Sequence, residues 1–232
     1  MTRHAVLRLV AATILAWPAC AVAQLNSITQ REAVAGLKAA LERGSQQAVA
    51  ALGRDDGYLG NPKVKIPLPQ SLVRAEKLMR RVGAGRYADE LIVAMNRAAE
   101  AAVPEAREIL IGAVRQMSVR DAKGILTGGE TAGTEYFKRT TRAGLQKRFL
   151  PIVKRATAKV RLAQKYNQYA DRGVALGMVE DEHADLDEYV TQKALDGLYF
   201  MVAEEEKKIR NDPVGTGKSI LKKVFGALKN RP

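Results

Sequence analysis

Near the C-terminus, Gly215-Thr216-Gly217-Lys218-Ser219 has the residue order that closes a phosphate-binding loop. In such a loop backbone N–H groups and a lysine cradle the phosphate oxygens. The motif's first glycine would fall on Asp212, and a polar helix end stands where a strand should precede it. An acid in the cradle would repel phosphate, so the segment reads as a turn into a last helix and no nucleotide is expected. Asp181, His183, Asp185 and Asp187 alternate as the first ligands of a calcium loop do. The loop's glycine position is Leu186 and its bidentate acid position is Gln192, so a solvated helix start is the expectation. Structural zinc takes four nitrogen or sulfur ligands. Beyond the leader described below the chain holds His183 and no cysteine, so no zinc and no other cofactor is expected. His183 is also the sole histidine there to activate a serine, and no serine sits in a Gly-x-Ser-x-Gly elbow.

Carboxylates remain. Asp89, Glu90, Asn96, Arg97 and Glu100 interrupt an otherwise apolar helix. They make either a partly buried polar network or ordinary surface ion pairs, and the second is the expectation. A pair of acids for glycoside cleavage can be far apart in sequence, so a cell-envelope hydrolase acting through carboxylates stays open as an alternative. No catalytic residue is assigned.

Charge is placed more informatively than its total of +13. From Tyr136 to Ala170 there is no acid, and the stretch holds ten cations: Lys138, Arg139, Arg142, Lys147, Arg148, Lys154, Arg155, Lys159, Arg161 and Lys165. The reverse follows in Glu180, Asp181, Glu182, Asp185, Asp187, Glu188, Asp196, Glu204, Glu205 and Glu206, with Lys193 among them. Two arrangements fit. The segments lie side by side and neutralise one another, or the cations form an exposed face for a polyanion.

The chain opens as an export signal does. Arg3 and Arg8 precede the apolar run Leu9 to Trp17, Pro18 ends it, and Ala21-Val22-Ala23 offers small residues for cleavage before Gln24. The run is well short of the ~20 residues that span a bilayer. Residues 1–23 are therefore expected to be removed, leaving 24–232 as one periplasmic or secreted domain. A lipoprotein signal through Cys20 is the minor alternative, since Trp17 and Pro18 fit it poorly. Cleavage at Ala23 removes the sole cysteine, so no disulfide is expected.

The elements that would position these groups are helical. Ala- and Leu-rich composition with few aromatics favours helix. Ser27 with Gln30 has capping-box spacing, and Ala33, Val34, Leu37 and Leu41 follow at helical period, with Gly44 expected to break or bend the helix and Gly53 to stop it. Residues 55–69 refuse a helix: Asp56-Gly57 and Asn61-Pro62 are turn chemistry, and Pro67 and Pro69 impose an extended backbone. Val64, Ile66 and Leu68 alternate with Lys63 and Lys65, which predicts an ordered extended loop with one side packed. A stripe of Leu72, Ala75, Leu78 and Met79 ends at Gly83-Ala84-Gly85, and helix 86–102 carries Ala88, Leu91, Ile92, Met95, Ala98, Ala99 and Ala102 on one face. Pro104 opens a helix, Ser118 caps a short one with Asp121 in its first turn, and Gly128-Gly129 closes that one. A long helical region over 130–160 should be kinked or split by Pro151. A segment at 162–170 and a Gly-containing loop precede a last long helix capped by Asp185, with Glu204–Lys208 and Glu206–Arg210 at i,i+4. A terminal helix at 218–228 has Ile220, Leu221, Val224, Phe225 and Leu228 on one face, a pattern that fits core docking or a membrane interface. The expected class is all-α: a single-domain multi-helix bundle of about eight helices with one extended Pro-rich loop.

Several segments together carry a resemblance: Asp56-Gly57-Tyr58-Leu59, the run from Asn61 to Pro69, Ala88-Asp89-Glu90-Leu91, Met95-Asn96-Arg97-Ala98-Ala99-Glu100, Ala194-Leu195-Asp196-Gly197-Leu198 and Glu205-Glu206-Lys207. With these the chain resembles a bacterial family of exported proteins known as a domain of unknown function (DUF4197), over nearly all of its mature length. The resemblance implies an exported helical domain and brings no activity, cofactor or catalytic residue. On the residues themselves, the leading expectation is a periplasmic binding or scaffolding protein. Lys138, Arg139, Arg142, Lys147, Arg148, Lys154 and Arg155 would meet anionic lipid or another polyanion, or the partner would be an envelope protein.

Overall fold

The computed structural model describes residues 29–160, 163–164 and 185–212. Within them the regular structure is helical: α1 (Gln30–Leu52), α2 (Gln70–Arg81), α3 (Arg86–Ala102), a 3-10 turn (Val103–Glu105), α4 (Ala106–Gln116), α5 (Val119–Thr127), α6 (Ala132–Thr157) and α7 (Leu186–Asn211). No strand occurs among the described residues. The leader, the sequence around Gly215–Ser219 and the expected terminal helix 218–228 lie outside them. So does the expected segment 162–170, apart from Ala163 and Gln164.

Helix ends follow local chemistry, with one shift. α1 begins behind Thr29, not behind Ser27. Thr29 Oγ1 accepts the Glu32 N–H at 3.2 Å, and the Glu32 carboxylate accepts the Thr29 N–H at 2.9 Å. A charged Glu at this position also complements the helix dipole, which the Gln30 of the expected box would not. α5 is boxed by Ser118 and Asp121 as expected. Asp185 caps α7 by accepting the N–H groups of Asp187 and Glu188, which makes it a helix start.

Two expected breaks are absent. α1 runs unbroken through Gly44, which stands where α1 and α7 approach; a β-carbon there would lie 3.5 Å from Glu205 Cβ and Ile209 Cδ1. α6 runs through Pro151 without splitting. Pro151 is exposed, so the Lys147 carbonyl it deprives of a donor is on the solvent side of the helix.

The core is assembled by α1, α3, α4, α6 and α7, with α7 packed on both α6 and α1 and α3 packed on α6. Tyr58, Phe137, Phe149 and Tyr199 are the largest fully buried side chains. Tyr58 is not helical: it belongs to the extended loop, where Val64, Ile66 and Leu68 are also buried while Lys63 and Lys65 are exposed, the alternation the sequence predicts. α2 behaves otherwise. Its Leu72 and Met79 are partly buried against the core, but no residue of α2 is buried, and Leu78 is 62% exposed.

Candidate functional site

The described parts of the acid-free and acidic segments lie side by side, as α6 and α7. Three of the cations find partners, on three different helices. Arg142 reaches Asp196 at 3.2 Å and the Gln192 side-chain oxygen at 2.6 Å, both on α7. Arg139 approaches Asp121 of α5 at 3.6 Å and lies over the Tyr136 ring. Lys138 bonds Glu135 one turn back at 2.8 Å. These three are thus engaged within the protein.

Lys147, Arg148, Lys154 and Arg155 are exposed on the outer side of the second half of α6. Lys154 stands 3.9 Å from Asp185; the other three have no ion pair among the described residues. Steps of three and four residues keep Gly144, Lys147, Arg148, Pro151, Lys154 and Arg155 on one stripe. Lys147 to Arg155 spans about 12 Å along the axis. The face holds no acid of its own.

The polar interruptions of α3 are a different site, and a surface ion-pair reading of them is overturned for the two that matter. Asn96 is fully buried. Its Oδ1 accepts the Ile66 N–H at 2.8 Å, and its Nδ2 donates to the Ile66 carbonyl at 2.9 Å and to the Ile92 carbonyl at 2.8 Å. The amide thereby gives the extended loop the pairing that a neighbouring strand would have given. Glu100 is buried as well; its Oε1 accepts the N–H groups of Tyr58 and Leu59 at 2.9 and 3.1 Å. Its Oε2 accepts Arg97 Nη1 at 2.6 Å, and Arg97 Nη2 continues to Asp56 at 2.8 Å. These carboxylates raise the Arg97 guanidinium above its ordinary value, Glu100 most. Asp89 remains a surface partner, bonded to Arg80 of α2 at 2.6 Å, and Glu90 is exposed.

The loop is also fastened to α7. The Tyr58 hydroxyl donates to the Ala194 carbonyl at 2.6 Å, and Tyr189 donates to the Pro67 carbonyl at 3.0 Å. The Tyr58 ring lies so close on Gly197 that a β-carbon there would be 2.6 Å from Cε1, which accounts for a glycine inside a long helix. Burial, with the charges of Asp196 and Glu100, pushes the Tyr58 phenol up, so it stays a donor. Asp56, with φ +62, takes the left-handed turn position, and Gly57 is needed because a β-carbon there would collide with the Leu52 carbonyl.

A second buried carboxylate, Glu206, stands in the sequence within the acidic run and at i,i+4 to Arg210, and neither pattern marks it as buried. It accepts the N–H groups of Gly133 and Thr134 at 2.9 and 2.8 Å and the Thr134 hydroxyl at 2.8 Å. Thr131 offers α6 no side-chain cap, so α7 supplies one. Arg210 completes it, donating to Glu206 at 2.8 Å and to the Ile125 carbonyl at 3.0 Å. The other expected pair shifts by one residue. Lys208 bonds Glu205, while Glu204 meets Lys207 at 3.3 Å and Lys63 at 3.6 Å.

Fold and site together define a helical domain whose buried carboxylates hold backbone and whose surface carries a cationic helix face. The family model described as "Protein of unknown function (DUF4197)" matches residues 27–226, and the chain belongs to that family. No curated protein and no solved structure matches it.

Proposed function

We propose that the chain is an exported, non-enzymatic binding or scaffolding protein whose cationic α6 face meets an anionic component of the cell envelope. The observation that carries this reading is the exposed stripe of Lys147, Arg148, Lys154 and Arg155, which the acidic helix beside it leaves largely unneutralised. Clustered cations on low-dielectric protein surface concentrate polyanions near them. The periplasmic setting comes from the leader at residues 1–23, read from sequence. Carboxylate hydrolysis draws no support from Glu100 or Glu206, because N–H groups and an arginine occupy the oxygens of each.

Co-sedimentation with phosphatidylglycerol vesicles tests the reading. Wild-type protein is expected to bind at low salt and to release as salt rises and screens the charges. Each Lys or Arg near an anionic surface is worth about 1 kcal/mol. Reversal of three in K147E/R148E/R155E should therefore weaken binding by roughly 100-fold or more. Absence of binding to anionic vesicles at low salt removes the proposal.

A further inference from the structure

α2 differs from every other α-helix described: each of those contributes buried residues, and α2 contributes none. Twelve residues long, it rests on the body through the partly buried Leu72 and Met79 and through Arg80, which bonds Asp89 of α3 and Glu76 of α2. Its outward side is apolar and cationic together. Leu78 is 62% exposed, and Val82, at the helix end, is 71% exposed. Arg74, Arg81 and Val82 each lie one turn from Leu78. Arg74, Lys77 and Arg81 are exposed and have no ion pair among the described residues, whereas Arg80 is neutralised by its two acids. Arg86 and Tyr87 follow the turn, with the guanidinium over the ring at 4.8 Å and Tyr87 also exposed.

This composition selects an occupant. A protein groove would take the leucine and valine but would have to match three uncompensated cations. Anionic headgroups above acyl chains meet both demands at once: the cations stay with phosphate while the apolar side chains enter the boundary below. No described helix is long and apolar enough to cross a membrane, so contact is with the surface.

We propose that α2 is an interfacial membrane contact, which inserts Leu78 and Val82 into an anionic lipid leaflet while Arg74, Lys77 and Arg81 hold its headgroups. This rests on the anionic-envelope reading above in taking the partner's charge from it, but it assigns the contact to a second, separate element. Electrostatic attraction through α6 would be shared by any polyanion; an apolar insertion is specific to a bilayer.

Trp17 is the chain's single tryptophan and belongs to the expected leader, so exported Leu78→Trp protein carries its reporter on α2. With phosphatidylglycerol–phosphatidylcholine vesicles, its emission should shift to the blue and become shielded from acrylamide, relative to the same protein without vesicles. L78E/V82E should keep its circular dichroism and melting temperature, since both side chains are exposed, and should lose vesicle affinity about tenfold or more. K147E/R148E/R155E separates the two proposals. A blue shift at undiminished affinity in that background sinks the α6 face and retains α2. Co-sedimentation of the Leu78→Trp protein without any blue shift retains α6 and overturns α2. A sedimentation-velocity dimer that L78E/V82E dissolves, with vesicle binding unaltered, assigns the face to a second copy of the chain and also overturns it. Lack of vesicle binding by wild-type protein overturns both.

Discussion

Residues 53–69 and α2 are consecutive in the chain and are held in opposite ways. The loop has no regular hydrogen bonding, yet Tyr58 and Ile66 are in the core, and Asn96, Glu100, Tyr189 and the Ala194 carbonyl bond it from two helices. α2 satisfies its backbone internally and shows an apolar stripe in sequence, yet it buries nothing fully. A helix closes its own hydrogen bonds and can therefore lie on a surface at little cost. An extended segment without a neighbouring strand must find partners for its N–H and C=O groups before it can be buried. Here side chains of α3 and α7 provide them, and burial of the loop follows.

The largest effect expected from this contrast is at Tyr58. Tyr58→Ala empties the buried space that the ring fills against α7 at Gly197 and should lower the unfolding free energy by about 4 kcal/mol, the usual cost of deleting a buried aromatic ring. Tyr58→Phe keeps the ring and loses the bond to Ala194, for about 1 kcal/mol. Urea titration of the three proteins checks both values. An alanine variant as stable as wild type would break the comparison, because the loop would then be an ornament on a core complete without it.

Glu100→Ala comes next. It strips an acceptor from Tyr58 N–H and Leu59 N–H and leaves Arg97 with Asp56 alone. Hydrogen bonds to a buried charged acceptor contribute about 1.5–3 kcal/mol, so a loss of about 3 kcal/mol is expected. Glu100→Gln, which keeps one carbonyl toward the loop, should lose about half as much. Equal losses in the two variants would show that the charge, and not the acceptor geometry, is what secures the loop.

How much of this is legible in sequence depends on distance along the chain. The alternation of Val64, Ile66 and Leu68, the apolar face of α3 and the caps at Ser118 and Asp185 are local patterns that can be read directly. Asn96 and Glu100 are visible as polar residues on an apolar helix, but their partners are 30 to 42 residues away, and nothing local distinguishes a clamp from a surface ion pair. The Glu206 cap on α6 spans 72 and 73 residues and has the same difficulty. The cationic run is legible as a run; which of its members find partners is not, because those partners lie on three different helices, Glu135 on α6 itself, Asp121 on α5 and Asp196 on α7. Periodicity in α2 reports that one side is apolar and is silent on whether another element covers it. Its exposure is therefore outside the reach of the pattern.

The smallest effect concerns how α2 is attached. Arg80 bonds Asp89 across the turn between α2 and α3, and Gly83, with φ +76, makes that turn. The Arg80 hydrogen bond holds the Asp89 carboxyl below its ordinary value, with some opposition from desolvation. A carboxylate depressed in the folded state supplies its stabilisation above the unfolded value and loses it as pH falls through the folded value. The tether is therefore complete at neutral pH and weakens only below about pH 4, the ordinary aspartate value. Asp89→Asn should reproduce the acid state at neutral pH: the global unfolding midpoint stays where it was, since the pair is on the surface, while amides of α2 exchange faster with deuterium. Tyr58, Leu59 and Ile66 amides should exchange as in wild type, because Glu100 and Asn96 hold them independently of α2. If those loop amides quicken together with α2, the two regions open as one unit, and the contrast between a bonded loop and a loosely laid helix fails.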